Sequence, residues 1–538
     1  MLCPSVYWLD SSELAAAGFE LGLLHAPGHP LAVLLSKGFQ MLPLGDIALR
    51  AGLAQVFCGA GAAALVTAIG ARLASKLCSH ALASDLLGVT VGLAYGATYA
   101  AAFQAVRPEV YALSSLLTLA TIDACLRYAD DADPTHLQRA GLWFGLGLTN
   151  HHYLTLVGAV PPALVLLWPR RGHPGLAKGL LLGALATAAA LTLYFYLPLR
   201  SAHDPIVRWG HPLDLRSFFW VVSAQSFQKS AGTQHGSDLP LLIGAALDQL
   251  GPIASLIGLG GLYVALRKLP RVGLTLLFAV LGPLAARWFL AFDSGNPDAF
   301  AYLGTGIAAL ALCAVPLCAE LLEAAPRTLR PVGGATILLV VCVRAGLTLP
   351  GSSLAAFEDT RATFAPLLDG VSPGAVVVPS YFQTTFSLSY LRVVEGARPD
   401  LHFLPRHFLT HPGERAALAR QDPLLAPLMT DRDLVADVVE RTGGHPLWLE
   451  YDLDLPMSLV GTSQTISLPR TLSNELQTRR FLLWQTLLRL HRACRLGADP
   501  AAMPRSAEAE LRAGASDDPE RSRFLDELLA SCTGARDH

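Results

Sequence analysis

The segment of the chain with the most evident capacity for chemistry is residues 8–30, which read WLDSSELAAAGFELGLLHAPGHP. Carboxylate and imidazole side chains, which this segment carries at Asp10, Glu13 and His25, can move protons in a reaction. Apolar residues recur at helical spacing from Ser11 to Leu24, which predicts a half-buried helix at a membrane surface. Capping of that helix is the alternative role of Asp10, and interaction with the helix dipole is the alternative role of Glu13.

Further polar residues are spread over later segments that separate long apolar stretches. They include Arg107, Glu109, Asn150, His151, His152, Arg200, Arg208, Trp209 and Asp298. Adjacent histidines point in different directions on a helix, so His151 and His152 favour hydrogen bonding over metal binding. An interfacial belt is the alternative role of Trp209. The chemistry open to these groups depends on whether the fold brings them to one side of a membrane.

The composition predicts a membrane protein with a soluble tail. Of the 538 residues, 52% are hydrophobic and 15% are charged, against about 25% charged in an average soluble chain. The charged residues are unevenly placed, because 43 of 82 lie in residues 351–538. A net charge of −2 excludes a nucleic-acid binder with a basic face. The sequence therefore predicts a polytopic α-helical membrane bundle followed by a soluble domain.

Eight apolar stretches are long enough to cross a bilayer, which takes about 20 residues. They cover about 49–71, 82–104, 109–127, 176–198, 241–266, 272–292, 299–319 and 331–349. A further block, 140–168, is interrupted by Thr149-Asn150-His151-His152 and predicts two short helices, about 140–149 and 152–168. The sequence thus predicts ten spans in residues 49–350, after a first extracytoplasmic loop in residues 1–48.

The positive-inside rule orients these spans. The arginine and lysine clusters between spans all become cytoplasmic only when block 140–168 crosses the membrane twice. The polar residues named above then lie on the outer side. A transporter would place such residues near the midplane, so this distribution favours an enzyme that works at the outer leaflet.

Residues 351–538 contain no further span and predict a small extracytoplasmic α/β domain. Strands are predicted at 374–379, 401–404 and 447–450, between helices. The predicted helices cover 354–369, 412–420, 431–441, 473–495, 506–512 and 520–531. The region lacks a glycine-rich nucleotide loop, so we expect it to help hold an acceptor.

Six motifs in order resemble a family of the GT-C class of membrane glycosyltransferases, long catalogued as a domain of unknown function. That family includes the O-mannosyltransferase of plexin-type receptors. The motifs here are Asp10-Ser11-Ser12-Glu13 with His25-Ala26-Pro27-Gly28-His29-Pro30, Pro108-Glu109-Val110-Tyr111-Ala112-Leu113, Gly145-Leu146-Gly147-Leu148-Thr149-Asn150-His151, Tyr196-Leu197-Pro198-Leu199-Arg200-Ser201, Arg208-Trp209-Gly210 and Gly396-Ala397-Arg398-Pro399-Asp400. Each motif is weak alone, but their order and spacing over about 400 residues make the resemblance specific.

The resemblance implies an inverting transfer of a sugar, mannose being one candidate, from a polyprenyl phosphate. The acceptor would be a hydroxyl of a protein Ser or Thr or of a glycan outside the membrane. Asp10 matches the family acid and is the expected base, with Glu13 beside it. Arg200 is the first candidate for the donor phosphate, ahead of Arg107 and Arg208, with a snorkelling arginine as its alternative. Further substrate contacts are expected from Glu109, His25, Asn150, His151 and Trp209. The sequence assigns no metal ligand and makes no cofactor certain, and a divalent metal stays open without support from the sequence.

Several positions depart from the family motifs. Ser12 stands in place of a glycine, Ala26 in place of a proline and His29 in place of an aromatic residue. The family also has a transmembrane helix before this loop, whereas nine residues precede Asp10. Either the coding sequence extends upstream or the helix has been lost, and we expect an upstream apolar segment.

Two other functions remain open from the sequence. A transporter or flippase for lipid-linked sugars is favoured by Arg287, Arg344 and Asp248, which lie within apolar stretches. A catalytically inactive assembly factor is the other. Five lysines against thirty-five arginines suggest a GC-rich bacterial genome, so we expect the protein in the bacterial inner membrane.

Overall fold

A computed structural model describes residues 1–168, 174–231, 239–290, 292–429, 444–469, 472–497 and 526. The first segment forms α1 (Ser11–Glu20) and α2 (Pro30–Gln40). The helix α1 is buried along most of its length, so it is not half-buried as predicted, and its place at the membrane surface stays a prediction. It is also shorter than predicted, because Leu21 adopts a left-handed conformation that ends it.

The next helices contain most of the apolar sequence. They are α3 (Ile47–Ala74), α4 (Ala81–Gly96), α5 (Tyr99–Ala105), α6 (Tyr111–Asp131), α7 (Pro134–Leu167), α8 (Pro174–Leu191), α9 (Tyr196–Ser201), α10 (Leu215–Val222), α11 (Gln225–Ala231), α12 (Leu239–Asp248), α13 (Pro252–Lys268), α14 (Pro270–Phe289), α15 (Pro297–Ala301), α16 (Gly304–Ala324) and α17 (Arg330–Thr348). Five helical stretches within the described residues are long and apolar enough to cross a membrane, or seven if two bent pairs are included.

The two bent pairs correct the prediction of straight spans at 82–104 and 241–266. The first pair, α4 and α5, bends by 69°, and the second, α12 and α13, bends by 99°. Gly251 has φ +81° between α12 and α13, and Pro252 begins the new helix, so the chain turns where only glycine fits easily. Apolar composition alone does not show such a bend.

The interruption predicted in block 140–168 is present. Helix α7 is continuous in its hydrogen-bond pattern but has non-helical angles at His151, with φ −148° and ψ 89°. The break therefore falls between the two predicted short helices. A double crossing of the membrane, and the total of ten spans, stay predictions.

The C-terminal region contains a three-stranded parallel sheet in the order β2-β1-β3. Its strands are β1 (Val376–Val378), β2 (His402–Phe403) and β3 (Leu447–Leu449), which confirms the three predicted strands. In register, Val376 pairs with His402 on one side and with Leu447 on the other. The valines of β1 are fully buried, as expected for a central parallel strand.

Helices surround this sheet, and three of the predicted ones are confirmed with shifted ends. The helices are α18 (Asp359–Gly370), α19 (Phe382–Val393), α20 (Glu414–Gln421), α21 (Met457–Val460) and α22 (Leu476–Arg495). The sequence analysis missed α19 and α21. Predicted helices at 431–441 and 506–512 lie outside the described residues, as does all but residue 526 of the one at 520–531.

The first loop and the C-terminal region share one hydrophobic core. Trp8 is buried and stacks on Phe481 of α22 with ring centroids 4.6 Å apart. The same tryptophan meets Phe364 of α18 edge to face at 6.1 Å. The C-terminal region thus forms part of the wall that supports Asp10.

Candidate active site

The candidate residues from the first loop face a cavity of about 510 Å³. Its wall combines polar groups with aromatic ones from four parts of the chain. Lining residues include Asp10, His25, His29, Tyr111, His151, His152, Tyr153, Trp209, Phe227, Gln228, Arg287, Tyr302, Phe382 and Phe386. The cavity therefore collects residues from the first loop, the membrane helices, the segment 209–228 and α19.

Asp10 is the most open acid of this cavity. Its side chain is 32% exposed and makes no capping hydrogen bond to α1, so the alternative role as a helix cap is not realised. Its carboxylate oxygen lies 3.9 Å from Nε2 of His25. A carboxylate that is neither buried nor used by its own helix is free to accept a proton from a ligand.

Glu13 and His25 form a buried pair behind Asp10. Nδ1 of His25 lies 2.6 Å from Oε2 of Glu13, and the backbone N–H of His25 donates to Oε1 at 2.7 Å. Burial opposes protonation of His25, but the carboxylates of Glu13 and Asp10 outweigh it and raise its pKa to about 10. Protonated His25 therefore neutralises Glu13, which makes Glu13 a supporting group and leaves Asp10 as the candidate base.

Arg107 holds two further acids against the same site. This arginine is fully buried and its Nη1 donates to Oε1 of Glu109 at 2.8 Å. Its Nη2 donates to Asp298 and also to Gln104 at 2.8 Å. Because both of its Nη atoms donate to side chains of the protein, Arg107 positions carboxylates, while its buried Nε makes no hydrogen bond within the described residues. Binding of a donor phosphate by Arg107 stays a prediction.

Three carboxylates converge at this point. One oxygen each from Asp10, Glu109 and Asp298 lies within 4.8 Å of the others, and the same holds for ligand atoms of Asp10, Glu13 and His25. Oxygen and imidazole ligands of this kind are the ones that could hold a divalent cation. The sequence analysis gave roles to Asp10, Glu13, His25 and Glu109. It named Asp298 among the polar residues on the outer side but gave it no role.

The structure does not bring Arg200 or Arg208 to the cavity. Arg200 donates hydrogen bonds from Nε to the carbonyl of Leu21 at 2.7 Å and from Nη2 to the carbonyl of Glu20 at 3.0 Å. These bonds give partners to carbonyl groups at the C-terminal end of α1. Arg208 is 4% exposed, and its Nε lies 2.9 Å from Oε1 of Glu414. Both guanidinium groups therefore bond within the protein, and their contacts with a donor phosphate stay predictions.

Arg287 is the arginine among the described residues that line the cavity. It lies near the end of α14, and its guanidinium carbon sits 5.2 Å from the ring centre of Tyr302. Its Nε is buried and makes no hydrogen bond within the described part of the chain. The sequence analysis placed this residue inside an apolar stretch, where a charged side chain is rare, and that rarity was the signal of a site.

Of the remaining predicted substrate contacts, some line the cavity and others lie behind its wall. His151 and Trp209 line the cavity, and Trp209 packs on Phe408 with centroids 4.8 Å apart. Asn150 is fully buried behind the wall, where its Nδ2 donates to the carbonyl of Val110 at 3.0 Å. The backbone carbonyl of Asn150 accepts a hydrogen bond from Nδ1 of His29. Asn150 therefore orients a histidine that lines the cavity.

Comparison with known proteins agrees with the motifs. Residues 10–173 match the family described as the N-terminal domain of protein O-mannosyl-transferase TMEM260. The chain is 29% identical to protein O-mannosyl-transferase TMEM260 of Mus musculus over 219 residues, which is 39% of this chain. That alignment spans 29% of the mouse protein's length.

The fold as a whole is similar to that of a solved membrane protein. ArnT from Cupriavidus metallidurans, in a crystal structure bound to undecaprenyl phosphate, matches with a TM-score of 0.54 at 15% identity. The match covers 87% of this chain and 93% of that one. The chain is thus an integral membrane protein with a GT-C-like helical bundle and a small C-terminal α/β region. Its resemblance to the O-mannosyltransferase family is confirmed.

Proposed function

We propose that the protein is a membrane glycosyltransferase that moves a sugar, mannose being one candidate, from a polyprenyl phosphate to a hydroxyl group. The acceptor is a protein Ser or Thr or a glycan. The observation that carries this proposal is the cavity itself, which holds an open carboxylate, Asp10, and the cationic Arg287. The similarity to an O-mannosyltransferase domain and to a protein that binds undecaprenyl phosphate supports the substrate class.

The reaction needs one base and one anion site. The acceptor oxygen attacks the anomeric carbon while Asp10 takes the hydroxyl proton, and the bond from that carbon to the phosphate oxygen breaks. The phosphate leaves with the bonding electron pair. Such a displacement inverts the anomeric centre when the base lies on the face opposite the leaving group.

In this proposal Arg287 holds the donor phosphate in place of the predicted Arg200. A guanidinium with a buried, unbonded Nε among the described residues gains a charge-assisted hydrogen bond when a phosphate oxygen arrives. A partly buried cation without such a contact is unfavourable, so the ligand compensates a charge that the protein leaves open. The aromatic ring of Tyr302 below it holds the guanidinium plane.

The proposed location is the bacterial inner membrane, with the cavity and the C-terminal region outside. This orientation follows from the positively charged connections between spans. In intact cells, an impermeant thiol reagent should label cysteine at the exposed position of Ala416→Cys and miss Lys76→Cys. Labelling only the second variant would reverse the orientation.

The central experiment is transfer of labelled sugar from a polyprenyl phosphate by the purified protein. Asp10→Asn should lose transfer and keep donor binding. Asp133→Asn is the matched control, because Asp133 is an exposed cap of α7 that bonds to Thr135 and does not line the cavity. Absence of transfer by the wild-type protein with every donor would favour an inactive assembly factor.

The transporter alternative depends on a charge pair inside the bundle. Arg344 instead bonds to the backbone carbonyl of Gln249 at 3.1 Å, at the end of α12. Transport of a labelled lipid-linked sugar across proteoliposomes, with no transfer to an acceptor, would favour a flippase.

A further inference from the structure

The N-terminal turn of α22 contacts the chain on both sides of the candidate site. We infer that this turn, residues 475–481, is a positioning clamp that sets the distance between the segments carrying Asp10 and Asp298. The effect on turnover rests on the proposed function. The clamp itself is a structural claim that can be tested without any transfer of sugar.

The first contact of the clamp is with the residues just before Asp10. Nε1 of Trp8 donates to Oγ1 of Thr478 at 2.8 Å, and that hydroxyl donates to Oδ2 of Asp359 at 2.6 Å. The three side chains form a buried chain of two hydrogen bonds, in which each donor has an acceptor. Tyr7 adds a second anchor, because its hydroxyl donates to Oε1 of Glu475 at 2.7 Å.

The second contact is with the segment just before Asp298. Nε2 of Gln477 donates to the carbonyl of Gly295 at 2.5 Å, and Nη1 of Arg480 lies 2.9 Å from Oδ2 of Asp293. Asn296 then caps α15 by accepting the backbone N–H of Asp298 at 2.9 Å. One helical turn of α22 therefore holds both acid-bearing segments.

These contacts matter because the two acids meet in one place. Oxygens of Asp10 and Asp298 lie within 4.8 Å of each other, although the two residues are far apart in the chain. Tyr7 also lies under Arg107, with the guanidinium 5.3 Å from its ring centre, and Arg107 binds Asp298. A shift of the clamp would move a base relative to its neighbours, and a misplacement of about 1 Å can cost about 100-fold in rate.

The test uses two threonines of the same helix. Thr478→Val keeps the shape of the side chain but removes the hydroxyl between Trp8 and Asp359, and Thr478→Ser restores it. Thr486→Val is the matched control, because within the described residues the hydroxyl of Thr486 bonds to the carbonyl of Leu482 in its own helix at 2.8 Å and to no other group. Gln477→Ala cuts the contact to Gly295 and tests the other side of the clamp independently.

Thr478→Val and Gln477→Ala should each lower kcat about tenfold to 100-fold with a KM for donor within about twofold of wild type. Thr478→Ser should recover most of that kcat, and Thr486→Val should not change it. Hydrogen exchange should rise in residues 5–12 for Thr478→Val and in residues 293–298 for Gln477→Ala.

The inference is overturned if both variants fold and keep the wild-type kcat. It is also overturned if kcat falls only in proportion to unfolded protein while exchange of the two segments is unchanged. A wild-type protein that transfers no sugar would refute the proposed function. The exchange measurements would still decide the clamp.

Discussion

The acidic group at and behind the cavity and the arginine in its wall, Arg287, are treated differently by the protein. In the acidic group, Glu13 is neutralised by His25 and Glu109 by Arg107, so most charges are compensated within the fold. Arg287 instead lines the cavity and lies over Tyr302, whereas the fully buried Arg107 is not among the described lining residues. The difference separates groups that set geometry from groups left open for a ligand.

This contrast fits the two needs of a sugar transfer. Buried ions that pair with each other are costly to separate and therefore keep a fixed arrangement. Asp10 is partly exposed at the edge of the paired group, so it can accept a hydrogen bond from a neutral hydroxyl. Arg287 can bind an anion. The predictions below test whether the open groups bind and react while the paired ones hold the structure.

The largest effect is expected at the open acid. Asp10→Asn keeps the shape of the side chain but removes the base, so single-turnover transfer should fall about 10²–10⁴-fold. Donor affinity should stay within about twofold of wild type. Measurement of both quantities, beside Asp133→Asn, checks the prediction, and transfer at the wild-type rate would refute Asp10 as the base.

Substitution in the paired group should lower the stability of the protein. Arg107→Ala leaves Glu109 and Asp298 without their buried partner, and breaking such a pair costs about 3–5 kcal/mol. Thermal unfolding of the detergent-solubilised protein should show a clear fall in Tm. An unchanged Tm with lost donor binding would instead mean that Arg107 binds phosphate, as the sequence first indicated.

Substitution of Arg287 should weaken the affinity of the protein for the donor. Arg287→Ala removes a charge-assisted hydrogen bond to the phosphate, which is worth about 1.5–3 kcal/mol, or about tenfold to 100-fold in Kd. Titration with a polyprenyl phosphate, read by intrinsic fluorescence or calorimetry, measures this change. A Kd equal to that of the wild type would remove Arg287 from the proposal.

The smallest effect on the ligand is expected at Arg200, although it was the first phosphate candidate. Arg200→Ala removes bonds to two carbonyls at the end of α1 and should lower stability by about 1–3 kcal/mol. Its donor Kd should remain within about twofold of wild type. A tenfold weaker Kd, with Arg287→Ala unchanged, would reverse the assignment of the two arginines.

The acids of the site were easier to predict than its cation. Asp10, His25 and Glu109 lie in motifs whose residue types and spacing are specific. Arg200 and Arg287 both adjoin apolar helices, and the sequence does not show which one has carbonyls within reach. The left-handed Leu21, which ends α1 near Arg200, depends on the tertiary fold.

Some elements of the fold were also easier to predict from the sequence than others. The valine run of β1 predicts a buried strand because β-branched residues fit a pleated surface. The aromatic and β-branched residues of α19 have the same preference, and packing over the sheet overrides it. Hydropathy located the apolar stretches, but a 99° turn at Gly251 leaves hydropathy unchanged.

The shared core of the first loop and α22 has a consequence for biosynthesis. The bonds from Tyr7 and Trp8 join residues 468 and 470 positions apart in the chain. At about 5–20 residues per second, the ribosome needs roughly half a minute to a minute and a half between the two ends of each bond. During that interval the nascent first loop lacks the partners that hold it in the finished protein. Assembly of the pocket is therefore a late event of synthesis, and a chain stalled before α22 should be a substrate for quality-control proteases.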